Sequence, residues 1–155
     1  MPEPVFNIVL LSPQIPNNTG NIGRTAMATG CRLHIIHPIA FDMDEKAVRR
    51  AGLDYWHLLD VLEHDSWDSF VKTEAPSTIW LFTTKTKRRL WEAKFSEGDY
   101  LLFGSEQHGV PQNVHDFVGE ESRLTLPMVN DARSLNLATA VCAVVYEGIR
   151  QTTAS

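Results

Sequence analysis

Cysteine is scarce in this sequence, which holds only Cys31 and Cys142 among its 155 residues. So few cysteines give no disulfide framework, and they favour a reducing setting such as the cytoplasm. No Cys/His set has the spacing of a zinc site. His34 and His37 lie on one predicted strand at positions that point to opposite faces. We therefore expect the chain to fold without a disulfide or a metal ion.

Long hydrophobic runs are also missing. The longest apolar stretch, near 137–145, is too short and too interrupted to span a bilayer, and the start of the chain lacks the basic region of a signal peptide. Acidic residues outnumber basic residues by 19 to 14, which gives a net charge of −5. We expect no membrane segment and no binding to nucleic acid by bulk charge alone, although a local basic patch is compatible with this total.

Three common motifs are absent as well. The sequence contains no Gly-x-x-x-x-Gly-Lys-Ser/Thr, no Gly-x-Gly-x-x-Gly after the first predicted strand and no Gly-x-Ser-x-Gly. These absences disfavour a P-loop nucleotidase, a Rossmann cofactor domain and a serine-hydrolase elbow.

What is present is an alternation of short apolar runs and helical patterns. Strands are predicted over 5–11, 33–36, 79–84, 100–103 and 123–126. Helices are predicted over 22–29, 44–51, 66–74, 111–117 and 134–150. This alternation predicts an α/β fold in a single domain over 1–155, with a parallel sheet flanked by helices on both faces.

The last predicted helix is apolar around most of its circumference. The residues concerned are Leu135, Leu137, Ala138, Val141, Cys142, Val144, Val145 and Ile149. A helix that is apolar nearly all round is buried on more than one side. One of those sides is either a subunit interface or a position at the centre of the monomer.

Three glycine- and polar-rich stretches follow predicted strands. The first, 17–24, contains residues that tolerate tight turns and cap the helix behind them. Arg24 then lies one turn into that helix, where its guanidinium can meet phosphate or ribose oxygens. A capped helix with a surface arginine accounts for the same pattern.

The second and third stretches lie where parallel α/β sheets bind ligands. In 102–111, Gly104 lets a ligand approach the backbone. Glu106 is either a base or, as we favour, a brace that accepts backbone N–H groups. In 126–137, Ser134 caps the final helix and Asn136 lies in its first turn, where an anionic group such as a carboxylate binds well.

Taken together and in this order, the three stretches resemble the motifs of the SPOUT superfamily of S-adenosylmethionine-dependent RNA methyltransferases. The matching segments are Asn18-x-Gly20-Asn21-x-x-Arg24, Phe103-Gly104-x-Glu106-x-x-Gly109, and Pro127-Met128 through Arg133-Ser134-Leu135-Asn136-Leu137. The resemblance covers essentially the whole chain. The short length and the stretch 50–55 resemble the minimal branch, which 2′-O-methylates a wobble cytidine or uridine in the tRNA anticodon loop.

The resemblance implies a fold and a cofactor. It implies a deep trefoil knot near the C-terminus, an obligate homodimer, and S-adenosylmethionine held in the knot largely by backbone groups. By position, the cofactor-binding residues are Phe82, Gly104, Leu126, Met128 and Ser134.

The resemblance also implies roles in the reaction. Arg24 is expected to position the ribose and the adjacent phosphate, with a role as the base as the alternative. Tyr146 either approaches from the partner subunit or packs in the core. Asn21 and Asn136 are expected to orient loops, and Glu106 to brace the cofactor loop.

Positive charge for an RNA substrate is concentrated in one segment. Five of the fourteen basic residues lie within ten positions: Lys85, Lys87, Arg88, Arg89 and Lys94. We expect them to contact phosphates of the tRNA anticodon stem-loop, which gives affinity without sequence readout. A solvated loop is the alternative. Trp91 or Trp56 either stacks on a flipped anticodon base or packs in the core.

Three other functions are compatible with the sequence. They are a SPOUT methyltransferase for ribosomal RNA or another tRNA position, a knotted RNA-binding protein without turnover, and a small-molecule nucleotide-binding protein. The intact Arg24, Gly104 and Ser134 weigh against loss of turnover. A small-molecule protein would have no salt-dependent affinity for tRNA.

Overall fold

A parallel β-sheet lies at the centre of the computed structural model, which describes residues 3–41, 58–129 and 135–153. Within these ranges the strands are β1 (Asn7–Leu11), β2 (Arg32–Ile36), β3 (Val61–His64), β4 (Ile79–Phe82), β5 (Tyr100–Phe103) and β6 (Arg123–Leu124). Their order across the sheet is β3-β2-β1-β5-β4-β6, and all neighbouring strands are parallel. The predicted parallel α/β architecture is therefore confirmed.

Helices cover both faces of this sheet. They are α1 (Pro16–Thr29), α2 (Trp67–Glu74), α3 (Gln112–Val118) and α4 (Leu137–Thr153), with short 3₁₀ turns at Leu90–Glu92 and Glu120–Ser122. Side chains of α1 and α4 pack against one face of the sheet, and side chains of α2 and α3 pack against the other.

The central strand β1 shows why the core forms. Its side chains alternate between the two faces, so Ile8 and Leu10 join the core under α1 and α4, while Val9 and Leu11 join the core under α2 and α3. Every residue of β1 is buried. A parallel strand covered on both faces is expected to be apolar throughout, as four of its five residues are.

Helix α1 begins earlier than the predicted start at Ile22. Its first residue is Pro16, whose missing N–H costs nothing at that position because no intrahelical acceptor exists for it. The polar stretch 17–23 is therefore helix and not a turn that precedes one. The predicted end is confirmed, since Gly30 caps the helix in a left-handed conformation with φ of 73°.

Helix α4 also begins at a different place. The carbonyl of Asn136 accepts the N–H of Ala140 at 2.9 Å, and its side chain accepts the N–H of Thr139 at 3.2 Å. Asn136 is therefore the N-terminal cap of α4. The sequence placed this cap at Ser134, which lies outside the described residues. The structure also adds the edge strand β3, whose polar sequence gave no strand prediction.

Helix α4 is buried mainly on one side within this chain. Val141, Val144 and Val145 are fully buried, and Gly148 lies so close to Phe6 that an added Cβ would be 2.7 Å from its ring. Tyr146, in contrast, is 53% exposed. One chain alone therefore does not bury α4 on several sides as predicted, because the side of the helix that carries Tyr146 faces outward.

Some sequence expectations fall outside the described residues. These are the helix over 44–51, the stretch 50–55, Trp56, and residues 130–134, which belong to the third polar stretch. The knot therefore stays a prediction. None of the described helices has the combined length and apolar character needed to cross a membrane.

Candidate functional site

A cavity of about 620 Å³ opens at the carboxyl ends of β4 and β5. Segments that follow β4, β5 and β6 form its wall, together with the start of α4. This is the edge of a parallel sheet at which α/β proteins bind ligands, and the volume lies within the range of small-molecule sites.

Most residues predicted to bind the cofactor line this cavity. Phe82, Gly104, Leu126 and Met128 all do so, whereas the fifth, Ser134, lies outside the described residues. The Phe82 ring stacks on Phe103 with a centroid distance of 4.9 Å and an interplanar angle of 15°. The two rings give the cavity a flat apolar side.

The loop after β5 folds back tightly on itself. Ser105 and Gly109 exchange two backbone hydrogen bonds of 3.0 Å each, and Gly109 has a left-handed φ of 64°. A Cβ on Gly104 would lie 2.3 Å from the carbonyl carbon of Gly109. Only glycine fits at Gly104, because any side chain there would push this turn apart.

Glu106 joins this loop to the start of α1. Its carboxylate accepts the N–H groups of Gln14 at 2.8 Å and Ile15 at 2.9 Å, and the side-chain amide of Asn18 at 3.2 Å. Three donors thus converge on one carboxylate, and two of them belong to the unpaired amides that precede a helix. These contacts are those of a brace between distant segments.

Asn18 extends this network to α4. Its amide oxygen accepts a hydrogen bond of 3.0 Å from the side chain of Asn136. Glu106, Asn18 and Asn136 all line the cavity, so one chain of hydrogen bonds links the loop after β5, helix α1 and helix α4. Asn21, which the sequence predicts to orient loops, is not part of this network; the α1 residue in it is Asn18, which is buried.

Asn18 was missed because the start of α1 was placed too late. Asn21 and Arg24 are exposed on the same helix and do not line the cavity. Arg24 lies six residues after Asn18, which turns its side chain by about 120° and moves it about 9 Å along the helix axis. Tyr146 also lies outside the cavity. One chain alone therefore does not bring the two predicted catalytic residues to this site.

His115 is a cavity residue that the sequence did not indicate. It lies on α3, is 4% exposed, and its Nε2 is 3.3 Å from the hydroxyl of Thr83. Its Nδ1 is buried and has no hydrogen-bond partner among the residues that the structure describes.

The predicted RNA-binding residues divide into two groups. Lys85 lines the cavity and is exposed, as is Lys87. The two arginines are anchored: Arg88 donates to the carbonyl of Glu121, and Arg89 pairs with Glu92 at 3.3 Å. Neither lysine forms an ion pair with another described residue.

A second polar cluster is buried between β2 and β3, away from the cavity. The His34 ring lies 3.0 Å from His64 and 2.9 Å from the amide oxygen of Asn7. The other amide atom of Asn7 donates to the carbonyl of Gly98 at 3.0 Å, which fixes Nε2 of His34 as a donor. Nδ1 of His34 then accepts from Nε2–H of His64, so the His34 ring is neutral.

Burial controls the ionisation of this pair. Desolvation, followed by the neighbouring His64, lowers the pKa of His34 from 6.5 to about 3. Desolvation also lowers the pKa of His64. The side-chain atoms of His34, His64 and Glu74 that could hold a metal ion lie within 4.8 Å of one another. This group differs from the pair of His34 and His37 that the sequence brought into consideration. The ring centroids are 5.2 Å apart at 20°, which is the arrangement of an in-line N–H···N hydrogen bond.

Comparison with known proteins agrees with this architecture. Residues 5–146 match the SpoU rRNA Methylase family. The tRNA (cytidine(34)-2'-O)-methyltransferase of Saccharophagus degradans is 46% identical over 147 residues, which cover 95% of this chain and 96% of that protein.

Two solved structures have closely similar folds. One, concerned with the 2-OH methylation of C/U34 on tRNA, is 42% identical with a TM-score of 0.88 and 97% coverage of both chains. The other is the SpoU methyltransferase AviRb from Streptomyces viridochromogenes in complex with the cofactor AdoMet. It is 25% identical with a TM-score of 0.81, and the match covers 97% of this chain and 59% of AviRb. The match over 5–146 and the near-full-length relative show that this chain belongs to the SpoU methylase family.

Proposed function

We propose that this protein transfers a methyl group from S-adenosylmethionine to the ribose 2′-hydroxyl of the wobble pyrimidine, nucleotide 34, in the anticodon loop of tRNA. The observation that carries the proposal is the cavity at the carboxyl ends of β4 and β5, held by the Glu106–Asn18–Asn136 network. Supporting it, the chain spans almost the whole length of a relative named for this reaction on cytidine 34.

The cavity suits S-adenosylmethionine. The tight turn from Gly104 to Gly109 forms part of the cavity wall, and the N–H groups of Leu126 and Met128 have no hydrogen-bond partner among the described residues. Apolar side chains such as Phe82 border these polar groups. Such a wall can bind a flat base by its edge and its face together. When bound, S-adenosylmethionine supplies a methyl group activated by a positively charged sulfur.

The chain's own part in the reaction is to hold the ribose in line and to stabilise charge. Alignment of reacting atoms can lower a barrier by several kcal/mol. Lys85 stands at the cavity and can hold a phosphate by charge. Arg24 is the group that we assign to the ribose and its phosphate, because a guanidinium presents paired N–H donors to such oxygens. In this role it positions the substrate, and the hydroxyl proton passes to solvent water.

A homodimer would bring Arg24 to a cavity. Arg24 and Met27 are exposed on α1, and Tyr146 is exposed on α4, the helix that packs beside α1 on the same face of the sheet. We propose that two copies pair through this outward side, so that Arg24 and Tyr146 of each chain approach the cavity of the other. A reducing compartment such as the cytoplasm suits the unpaired Cys31 and Cys142.

The test is methyl transfer from labelled S-adenosylmethionine to total tRNA, with the modified nucleotide mapped by mass spectrometry. The wild type should place the label on the 2′-oxygen of nucleotide 34. Arg24→Ala should lose this transfer by about a hundredfold or more while it still binds the cofactor. Lys72→Ala, which removes an exposed cation from α2 on the other side of the sheet, should keep full activity.

Two results would contradict the proposal. Label on ribosomal RNA or at another tRNA position would assign a different substrate. Cofactor binding without transfer to any RNA would indicate a binding protein that lacks turnover.

A further inference from the structure

Trp91 is an exposed aromatic residue on a rigid support. It lies in the 3₁₀ turn Leu90–Glu92 with 54% of its surface accessible. Leu90, directly before it, and Ala93, two residues after it, are buried. The N–H of Leu90 also donates to the carbonyl of Thr125 at 2.9 Å. The backbone that carries the indole is therefore fixed, although the indole itself is open to solvent.

A guanidinium orders this indole. Cζ of Arg89 lies 5.7 Å from the centre of the Trp91 ring, a cation–π contact. Arg89 is held in turn by Glu92, whose carboxylate accepts its backbone N–H at 2.6 Å and its Nε at 3.3 Å. The ring is thus positioned before any ligand arrives, which reduces the entropy lost on binding.

The segment that carries Trp91 is rich in cations, which outnumber its acidic residues Glu92 and Glu97. Lys87 and Lys94 are exposed in the same segment. Within 83–99, Trp91 is the single large hydrophobic side chain that is exposed. A protein-binding surface would have other apolar groups beside an aromatic anchor, whereas lysines around one exposed ring match the phosphates and unstacked bases of single-stranded RNA.

Trp91 also lies close to the cavity. Thr125 lines the cavity, and it is bonded to Arg88 through its N–H as well as to Leu90 through its carbonyl. The Leu90 bond and standard backbone dimensions place Cα of Trp91 within about 11 Å of Cα of Thr125. Nucleotides next to the one that enters the cavity can therefore reach the indole.

We propose that the Trp91–Arg89 pair is a stacking platform for an unpaired base of the RNA substrate, adjacent to the nucleotide that is methylated. The base would lie on the open part of the indole while nearby lysines hold its phosphates. This inference rests on the proposed function, because it requires that the substrate be RNA with unpaired bases at the cavity.

The experiment compares Trp91→Ala, Trp91→Phe and wild type in single-turnover methylation over a range of tRNA concentrations. Loss of one stacked base weakens binding by about 5- to 100-fold. The tRNA concentration at which Trp91→Ala reaches half of its maximal methylation rate should therefore rise by the same factor. Its rate at saturating tRNA and its affinity for S-adenosylmethionine should be unchanged. Trp91→Phe keeps an aromatic face and should recover most of the affinity.

A matched control and a salt titration separate stacking from charge. Phe117 is 51% exposed and contacts Trp67 on the other side of the sheet, so Phe117→Ala should bind tRNA as the wild type does. The slope of log affinity against log salt should be unchanged in Trp91→Ala, because a stacked base neutralises no phosphate. Lys87→Ala should reduce that slope by about one.

An anticodon stem-loop series identifies the base. Replacement of the stacked base by an abasic residue should abolish the difference between Trp91→Ala and wild type. Equal tRNA affinity of the two proteins would overturn the inference, as would a difference that persists at every abasic position. A change in oligomeric state of Trp91→Ala would overturn it too, because Trp91 would then pack on a second copy. Failure of the wild type to methylate tRNA would instead overturn the proposed function.

Discussion

Acidification from pH 7 to pH 5 should destabilise the folded protein by about 2 kcal/mol through His34 alone. The pKa of His34 is about 3 in the folded state and 6.5 without burial, so protonation favours the unfolded chain. The stabilisation is fully present above pH 6.5 and is lost as the pH falls toward 3. The two pKa values give a loss of about 2 kcal/mol over these two units.

Desolvation sets the sign of this effect, and the charged and titratable groups that face His34 modify its size. His64 and Arg32 disfavour a positive charge on the ring, whereas Asp60 favours it. Glu74 lies 3.8 Å from Nε2 of His34 and also favours it, but desolvation is the largest influence. Burial lowers the pKa of His64 as well, so its protonation acts in the same direction.

The assay is urea unfolding followed by circular dichroism at pH 7, 6 and 5, for wild type and His34→Gln. Glutamine can still donate to Asn7 and accept from His64, but it does not titrate. Its free energy of unfolding should therefore depend less on pH, by about 2 kcal/mol between pH 7 and pH 5. Equal pH dependence in His34→Gln and wild type would refute the reasoning.

Two further predictions concern the cavity. Gly104→Ala should weaken S-adenosylmethionine binding by about tenfold or more, because the added Cβ would collide with Gly109 and open the turn. Calorimetric titration measures this affinity. An affinity equal to that of the wild type would contradict the prediction, because the turn would then tolerate the Cβ. Glu106→Gln should lower the free energy of unfolding in urea by about 1.5–3 kcal/mol and weaken cofactor binding. Glutamine keeps one oxygen that can accept from Gln14 or Ile15, but its NH2 group would face the other N–H donor. An unchanged stability would mean that these bonds contribute little.

The parallel sheet could be predicted because its signal is local. The run that forms β1 is buried along its whole length, so composition alone marks it as a strand of a covered parallel sheet. The edge strand β3 could not be found in this way. Its residues Leu62 and Glu63 are exposed, and an edge strand with one covered side has no continuous apolar run.

The site was only partly predictable because side-chain direction depends on where a helix begins. Gly104 and Glu106 could be predicted because they come just after the end of β5 in the sequence, and both line the cavity. Asn18 did not stand out because a start at Pro16 was needed to place it on the inner side of α1. Arg24 does not line the cavity of its own chain. The pairing of two copies proposed above would supply its place at the site, and no pattern within one sequence contains that geometry.

The Glu106 brace has a consequence for the order of events during synthesis. It joins groups 91 and 92 positions apart in the chain, so it can form only after β1 and β5 lie side by side in the sheet. Contacts of such long range are costly to close and form late in folding. A growing polypeptide therefore has no cofactor cavity until most of its length has left the ribosome. The cofactor then stabilises the finished fold alone, and an incomplete or truncated chain gains no protection from it.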